Sequence, residues 1–449
     1  MDVVESVWMN KQVTGLRRLL YLVSPNETSF EKLEEVPQYV EEAAPYFMLT
    51  LFLENLILLA KKMPTMRPND GFSSIAHGLL SLMHSFIFRG IELATYIWIY
   101  ERFCIYTLPW ESSWTWLLTM LGVDLGYYWV HRFGHEVNIM WAGHQVHHSS
   151  EDYNLSTALR QSMFHRYITW VFYLPLALFI PPSQFQVHLQ FNLIYQFWIH
   201  TELINTIGPL EWIFNTPSHH RVHHGRNPYC IDKNYAGVFI IWDRIFGTFQ
   251  PEKEKVVYGL VHPLTTWDPL YGQVCHFLHI GRMMCSMNTW QDKLSVIWKG
   301  PGWMPGKPRL GLYEDLPQVE FPAQKYDSSL PWWGSLYVWV HFLLLTAANS
   351  VLALRKNELS AVTITTHLIF LVFTLFCFGS LFDNRGYGPG LEMTRCIIYL
   401  LIASMYQPVS LQLSAFNVIF FLFLASVSMW CYLILRNFQL QLYKKKRVE

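Results

Sequence analysis

The chain has 449 residues, of which 52% are hydrophobic and 16% aromatic but only 15% charged, against about 25% charged in ordinary soluble domains. Thirty-three basic residues balance thirty-three acidic ones, so net charge gives no electrostatic case for a nucleic-acid partner. Disorder, a coiled coil and most soluble enzymes are excluded, and the seven scattered cysteines, with no C-x-x-C, form neither a disulfide framework nor a zinc finger.

The N-terminus Met1-Asp2-Val3-Val4-Glu5 is acidic, with no basic leader followed by an apolar run, so no cleavable signal peptide is expected. Apolar stretches follow at about Tyr46–Ala60, Gly71–Phe103 and Ser113–Val130. Two more, Arg166–Ile180 and Phe185–Ile204, flank Pro181-Pro182 and read as a helical hairpin. A polar region from about Asn205 to Ser329 contains Val274–Val296, where Met, Leu and Phe alternate with His276, His279, Arg282 and Lys293. That segment reads either as a helix lying in a membrane interface or as an ordinary packed helix. Four further stretches, Trp332–Leu354, Ala361–Leu381, Thr394–Leu413 and Ala415–Leu435, complete the chain. A span needs about 20 apolar residues. The expectation is therefore an all-α, polytopic membrane bundle of about nine spans.

The expected divisions are an N-terminal segment 1–45, membrane spans 46–112, a catalytic core 113–262, a cytosolic or interfacial segment 263–331, and a membrane extension 332–449 with a basic tail. Counting crossings puts Lys61, Lys62 and Arg67, the histidine-rich segments and Lys444-Lys445-Lys446-Arg447 on one side. Basic clusters mark the cytoplasmic side.

Twelve of the nineteen histidines lie between His131 and His224. They form three clusters: His131-x3-His135, His144-x2-His147-His148, and His219-His220-x2-His223-His224. On a helix, residues three or four apart share a face. Neutral imidazoles are good ligands for Fe, Zn, Cu or Ni, and eight of them suit two ions better than one. The bland readings are interfacial histidines and a pH sensor. No acid stands three residues before a histidine, so the Glu-x-x-His pairs of soluble di-iron bundles are missing. Ile139 breaks the metalloprotease pattern begun by His135-Glu136. Asp124, two helical turns before His131, is a candidate acceptor for a metal-bound imidazole. Glu136 is a candidate ligand, proton relay or cofactor contact. His77, His84, His165, His188, His341 and His367 lack cluster spacing and read as structural.

The boxes and their surroundings resemble the fatty acid hydroxylase and sterol desaturase superfamily of integral-membrane di-iron oxygenases. The similar runs are Asp124–Arg132, His148–Asn154 with Arg160, Asp232–Tyr235, and Trp242–Thr248. The resemblance implies metal-ligand roles for His131, His135, His144, His147, His148, His220, His223 and His224. It also implies a ninth ligand from the hairpin, with His200 the candidate and His219 the alternative. Gln196 stands where some members have another histidine. Within the superfamily the chain is most similar to the branch that opens ether lipids. That similarity implies two iron ions, tetrahydrobiopterin as electron donor, O2 as co-substrate, an ether lipid drawn from the bilayer, and the endoplasmic reticulum membrane. The alternatives are a sterol or fatty-acyl hydroxylase or desaturase fed by separate electron carriers, and a histidine-rich metal-binding or transport protein. No His-Pro-Gly-Gly is present, so no fused cytochrome b5 is expected.

Overall fold

The computed structural model describes residues 12–87, 90–406 and 414–446. The acidic first residues, Arg89, the end of the Thr394–Leu413 stretch and Arg447 lie outside them. The described residues are helical and contain no β-strand beyond two isolated bridges. They fall into two compact units, Met1–Leu264 with Gln273–Tyr326, and Thr265–Gly272 with Asp327–Glu449.

In the first unit, α1 (Tyr39–Ala60), α2 (Pro68–Ile87) and α3 (Ile91–Phe103) precede α4 (Ser113–Glu136) and the short α5 (Asn138–His144). The long Gly71–Phe103 stretch is thus divided between α2 and α3. The hairpin expected around Pro181-Pro182 has unequal arms. Its second arm is α6 (Pro182–Trp198), which proline opens at its first position. Its first arm holds a 3-10 run, Trp170–Leu178, with Pro175 inside. At about 2.0 Å rise per residue that run reaches only about 18 Å, short of the roughly 30 Å hydrocarbon core.

α6 packs against α4 and α1. It buries Val187, Phe191, Ile194, Tyr195 and Ile199 with Trp116, Val238 and Phe239. α4 meets the 3-10 arm closely because Gly126 has no side chain: a Cβ there would lie 2.9 Å from the Tyr173 ring. This packing fixes the end of α4, where the first histidine cluster sits. After α7 (Pro217–His223), the segment Val274–Val296 forms two helices rather than one, α8 (Pro269–Ser286) and α9 (Trp290–Trp298).

The second unit contains α10 (Trp332–Arg355), α11 (Ala361–Phe382), α12 (Gly388–Tyr406) and α13 (Ala415–Lys446). Among the described residues, four helical segments are long and apolar enough to cross a membrane: Leu33–Ala60, Trp332–Arg355, Ala361–Phe382 and Ala415–Gln439.

Candidate metal centre

The three clusters and His200 converge, but they do not keep their sequence grouping. His131, His135, His144, His148 and His223 bring their ligand atoms within 4.8 Å of one another; His147, His200, His220 and His224 do the same. The second cluster divides because α5 ends at His144 and the chain tightens into a 3-10 turn at His147–Ser149. His144 and His148 then face one group and His147 the other. The third cluster divides because His220 and His224 are four apart at the end of α7, while His223 points to the other group. His200, just past α6, places its Nε2 3.2 Å from His147 Nε2, 3.2 Å from His224 Nε2 and 3.0 Å from His220 Nε2.

Tautomers follow from the outer hydrogen bonds. The Nδ1 atoms of His131, His147, His200 and His223 meet the carbonyls of Tyr235 (2.7 Å), Arg160 (3.0 Å), Gln196 (2.7 Å) and Lys233 (2.9 Å). A carbonyl only accepts, so each Nδ1 carries the proton and each Nε2 carries a lone pair. Burial first, and the neighbouring imidazoles second, hold His144, His148, His220 and His224 well below the ordinary imidazole range, so the rings are neutral. His147 and His200 therefore turn lone pair toward lone pair at 3.2 Å. That contact is repulsive unless a cation lies between them. Ligands at about 2.1 Å from one ion stand about 3.0 Å apart at adjacent octahedral positions and about 3.4 Å apart at tetrahedral ones, which brackets the observed spacing. His135 Nε2 and His223 Nε2 are buried without a partner, as expected of nitrogens reserved for an ion. The donor set fits one metal ion in each group.

Asp124 does not meet His131, contrary to the helix-face expectation. Its carboxylate accepts from Asn192 Nδ2 (2.7 Å), the N–H groups of Val238 (2.8 Å) and Phe239 (2.9 Å), and Trp242 Nε1 (3.0 Å). The loop after α7 comes between the carboxylate and the ring. Gly237 permits this, since a Cβ there would lie 2.8 Å from Asp124 Oδ1. Asp124 thus holds the loop whose Tyr235 carbonyl orients His131. Asp243 completes that job, accepting from the N–H groups of Tyr235 and Ala236, both at 2.8 Å, and from Thr248 Oγ1 at 2.7 Å.

Glu136 belongs to neither group. Arg132 Nε donates to it at 2.8 Å, and Arg309 pairs with its other oxygen. Both carboxylate oxygens are thus engaged by arginines rather than turned toward the imidazoles. His219 also stays outside both groups: it packs on Phe249, and burial pushes its pKa down to about 4. Gln196 Nε2 donates to Asn192 Oδ1 at 2.9 Å. His165 lies beside His144, ring centroids 5.2 Å apart, but in neither group.

Three contributors have little sequence signal. The Tyr235 and Lys233 carbonyls act through the backbone, which carries no side-chain signature. Asp70, on α2, pairs with the fully buried Arg160 at 2.7 Å, and Arg160 also binds Ser149 Oγ at 3.0 Å. An acid next to an apolar helix was the signal that could have singled out Asp70.

Residues 116–248 match the Fatty acid hydroxylase family, and residues 335–421 match the Alkylglycerol monooxygenase C-terminal domain. The chain belongs to the fatty acid hydroxylase family. Its long relatives within that family are alkylglycerol monooxygenases. That of Xenopus tropicalis is 54% identical, covering 86% of this chain and 87% of its own. That of Homo sapiens is 52% identical, covering 90% and 92%. Ornithine lipid hydroxylase OlsE of Rhizobium tropici is 27% identical over 41% of this chain and 58% of its own. No solved structure matches the chain. This membership makes the chain an oxidoreductase of lipid metabolism with transmembrane character.

Proposed function

We propose that the chain is a tetrahydrobiopterin-dependent membrane monooxygenase. In this reading it hydroxylates the alkyl carbon next to the ether oxygen of alkylglycerols and lyso-ether lipids. The observation that carries the metal-dependent chemistry is the partition of nine buried imidazoles into two sets. The long alkylglycerol monooxygenase relatives support the substrate class.

In this reading His131, His135, His144, His148 and His223 hold one iron, and His147, His200, His220 and His224 the other. Held there, an iron pair would supply O2 activation and the oxidising power to attack a C–H bond. The chain's own residues do the rest. Backbone carbonyls fix each imidazole's tautomer, Asp124 and Asp243 hold the loop that carries one of those carbonyls, and the surrounding core excludes water. The ether oxygen's lone pair weakens the adjacent C–H bond. Insertion of one atom of O2 there would give a hemiacetal, the other atom leaving as water with two electrons and two protons from the pterin; the hemiacetal then collapses to fatty aldehyde and a free glycerol hydroxyl.

We place the catalytic core at 113–262 and the membrane extension at 332–449, with the site facing the cytoplasm at the endoplasmic reticulum. Because His148 and His224 meet, ring centroids 4.4 Å apart, the hairpin between them contributes two crossings or none. The crossings then number nine or seven, and both leave the basic clusters and the histidines on one side. The substrate partner is an ether lipid of the bilayer.

The test is fatty aldehyde formation from an alkylglycerol by purified protein, with iron counted per chain. Aldehyde that requires tetrahydrobiopterin and about two irons per chain is expected. Equal aldehyde without the pterin, or none with it, removes this reading. No aldehyde from protein loaded with zinc or copper points to a metal carrier.

A further inference from the structure

The pair α8 and α9 has one face committed to α5, the helix that ends at His144, and another that packs on nothing among the described residues. Inward, Ile280, Met287, Val296 and Trp303 pack with Ala142 of α5. Asn138, the first residue of α5, fastens the pair there. Its N–H donates to Lys299 O (2.8 Å), its Nδ2 donates to Val296 O (2.8 Å), and its Oδ1 accepts from His276 Nε2 (2.7 Å). Asn138 thus satisfies one carbonyl in the last turn of α9, that of Val296, and the carbonyl of Lys299 just past its end. Six residues further along α5 stands His144.

Outward, Trp290, Leu294 and Trp298 recur every four residues and are 76%, 57% and 52% exposed; Leu278 on α8 is 52% exposed. Lys293 Nζ lies 5.0 Å from the Trp290 ring centroid, and Lys299 Nζ lies between the rings of exposed Trp298 (5.6 Å) and buried Trp303 (4.2 Å). Between Pro269 and Trp303 the only acid is Asp292, against Arg282, Lys293 and Lys299. Its carboxylate is engaged by Thr289 at 2.7 Å. Exposed indoles flanked by ammonium groups on an amphipathic helix match the chemistry of a headgroup layer: apolar rings below, phosphates beside the cations. A protein partner would be expected to bury such tryptophans at the centre of a patch rather than interleave them with lysines.

We propose that α8 and α9 form an in-plane foot on an anionic leaflet, and that Asn138 transmits its depth to α5 and so to His144. The foot sets how far the histidine groups stand from the lipid surface. The earlier alternatives for Val274–Val296, interfacial or packed, are then the two faces of one device.

The test uses the full chain in phosphatidylcholine vesicles with and without phosphatidylserine, with p-benzoylphenylalanine placed singly at Leu294, at Trp298 or at the exposed loop position Lys253. After irradiation, mass spectrometry should show a lipid adduct at positions 294 and 298 and none at 253. The yield should rise with phosphatidylserine, and K293Q/K299Q should remove that rise. An adduct to a second copy of the chain, equal lipid labelling at 253, or no lipid adduct at 294 and 298 overturns the proposal. So does a yield indifferent to phosphatidylserine. Because 294 and 298 are exposed, the probes do not perturb the core, and iron content reports independently that the protein is folded.

Discussion

Each unit buries a cluster of ionisable side chains, and the two clusters are built on opposite principles. In the second unit, Glu392 accepts from Arg395 at 2.5 and 2.8 Å and from Tyr337 at 2.5 Å. Arg395 donates on to His341 Nδ1 at 3.2 Å, and His341 Nε2 donates to Ser426 at 3.1 Å. The guanidinium also lies over Phe378 and Phe423, 4.9 and 5.1 Å from their centroids. The charges cancel, the donors find acceptors, and all four helices α10–α13 contribute. In the first unit, buried imidazoles point lone pairs at one another. A closed network fastens helices; a network that closes only around a cation is a binding site. Burial of charge inside apolar helices does not by itself distinguish function from structure, whereas the hydrogen-bond inventory does.

The sharpest way to break this comparison is to remove a member of the open network. H200A takes away the ring that touches three others. It should abolish aldehyde formation and halve the iron per chain, measured by elemental analysis, while R395M leaves the iron count unchanged. Loss of both irons would show the two groups to be one site. The closed network should respond to stability measurements instead. R395M alone leaves Glu392 buried without its cation, with Tyr337 as its remaining donor, and should cost about 3–5 kcal/mol, whereas replacing both partners with apolar residues should restore most of it. Unfolding in detergent reads both. A double variant as damaged as the single one would mean that the pair does more than fasten. A smaller effect is expected at Asp243, which acts one step from a ligand. D243N should weaken iron binding about 10–100-fold through the Tyr235 carbonyl and His131, with the fold retained. Titration of the apo-protein with iron measures it, and unchanged affinity would remove Asp243 from the site.

The histidine clusters were legible because metal-ligand spacing is local: residues three or four apart on one helix are neighbours whatever the rest of the chain does. Their division into sets of five and four was not legible. It turns on α5 stopping at His144 rather than running through His148, and on the side from which His200 approaches. Asp124 shows the limit of helix-face arithmetic. Two turns from His131 is the correct position on α4, yet a loop more than a hundred residues away in sequence claims the carboxylate first, as the bond to Val238 shows. Orientation by the backbone, as at Tyr235, Lys233 and Gln196, leaves no trace in residue identity. The membrane path was legible for α1, α10, α11 and α13, where apolar length is sufficient. At Trp170–Leu178 the apolar composition did not disclose that the backbone is a 3-10 run, which packs against α3.

Glu136 provides the finest discrimination, because the sequence and the structure give it different work. Next to His135 in the chain, it reads as a ligand or relay. In space, Arg132 and Arg309 occupy its oxygens, and Arg309 also donates to its backbone carbonyl at 3.0 Å. A clamped acid of this kind holds the end of α4 to the loop that carries Arg309. E136Q keeps the shape while removing the charge and one of the two acceptor oxygens that Arg132 and Arg309 use. The clamp predicts a loss of about 0.5–1.5 kcal/mol in stability, the worth of an ordinary hydrogen bond made weaker, with both irons retained and activity reduced only in proportion to folded protein. A ligand or relay role predicts the reverse: unchanged stability with one iron lost, or both irons present with turnover gone. Iron content, unfolding midpoint and aldehyde rate on the same preparation separate these outcomes, because the clamp moves only the second of them directly.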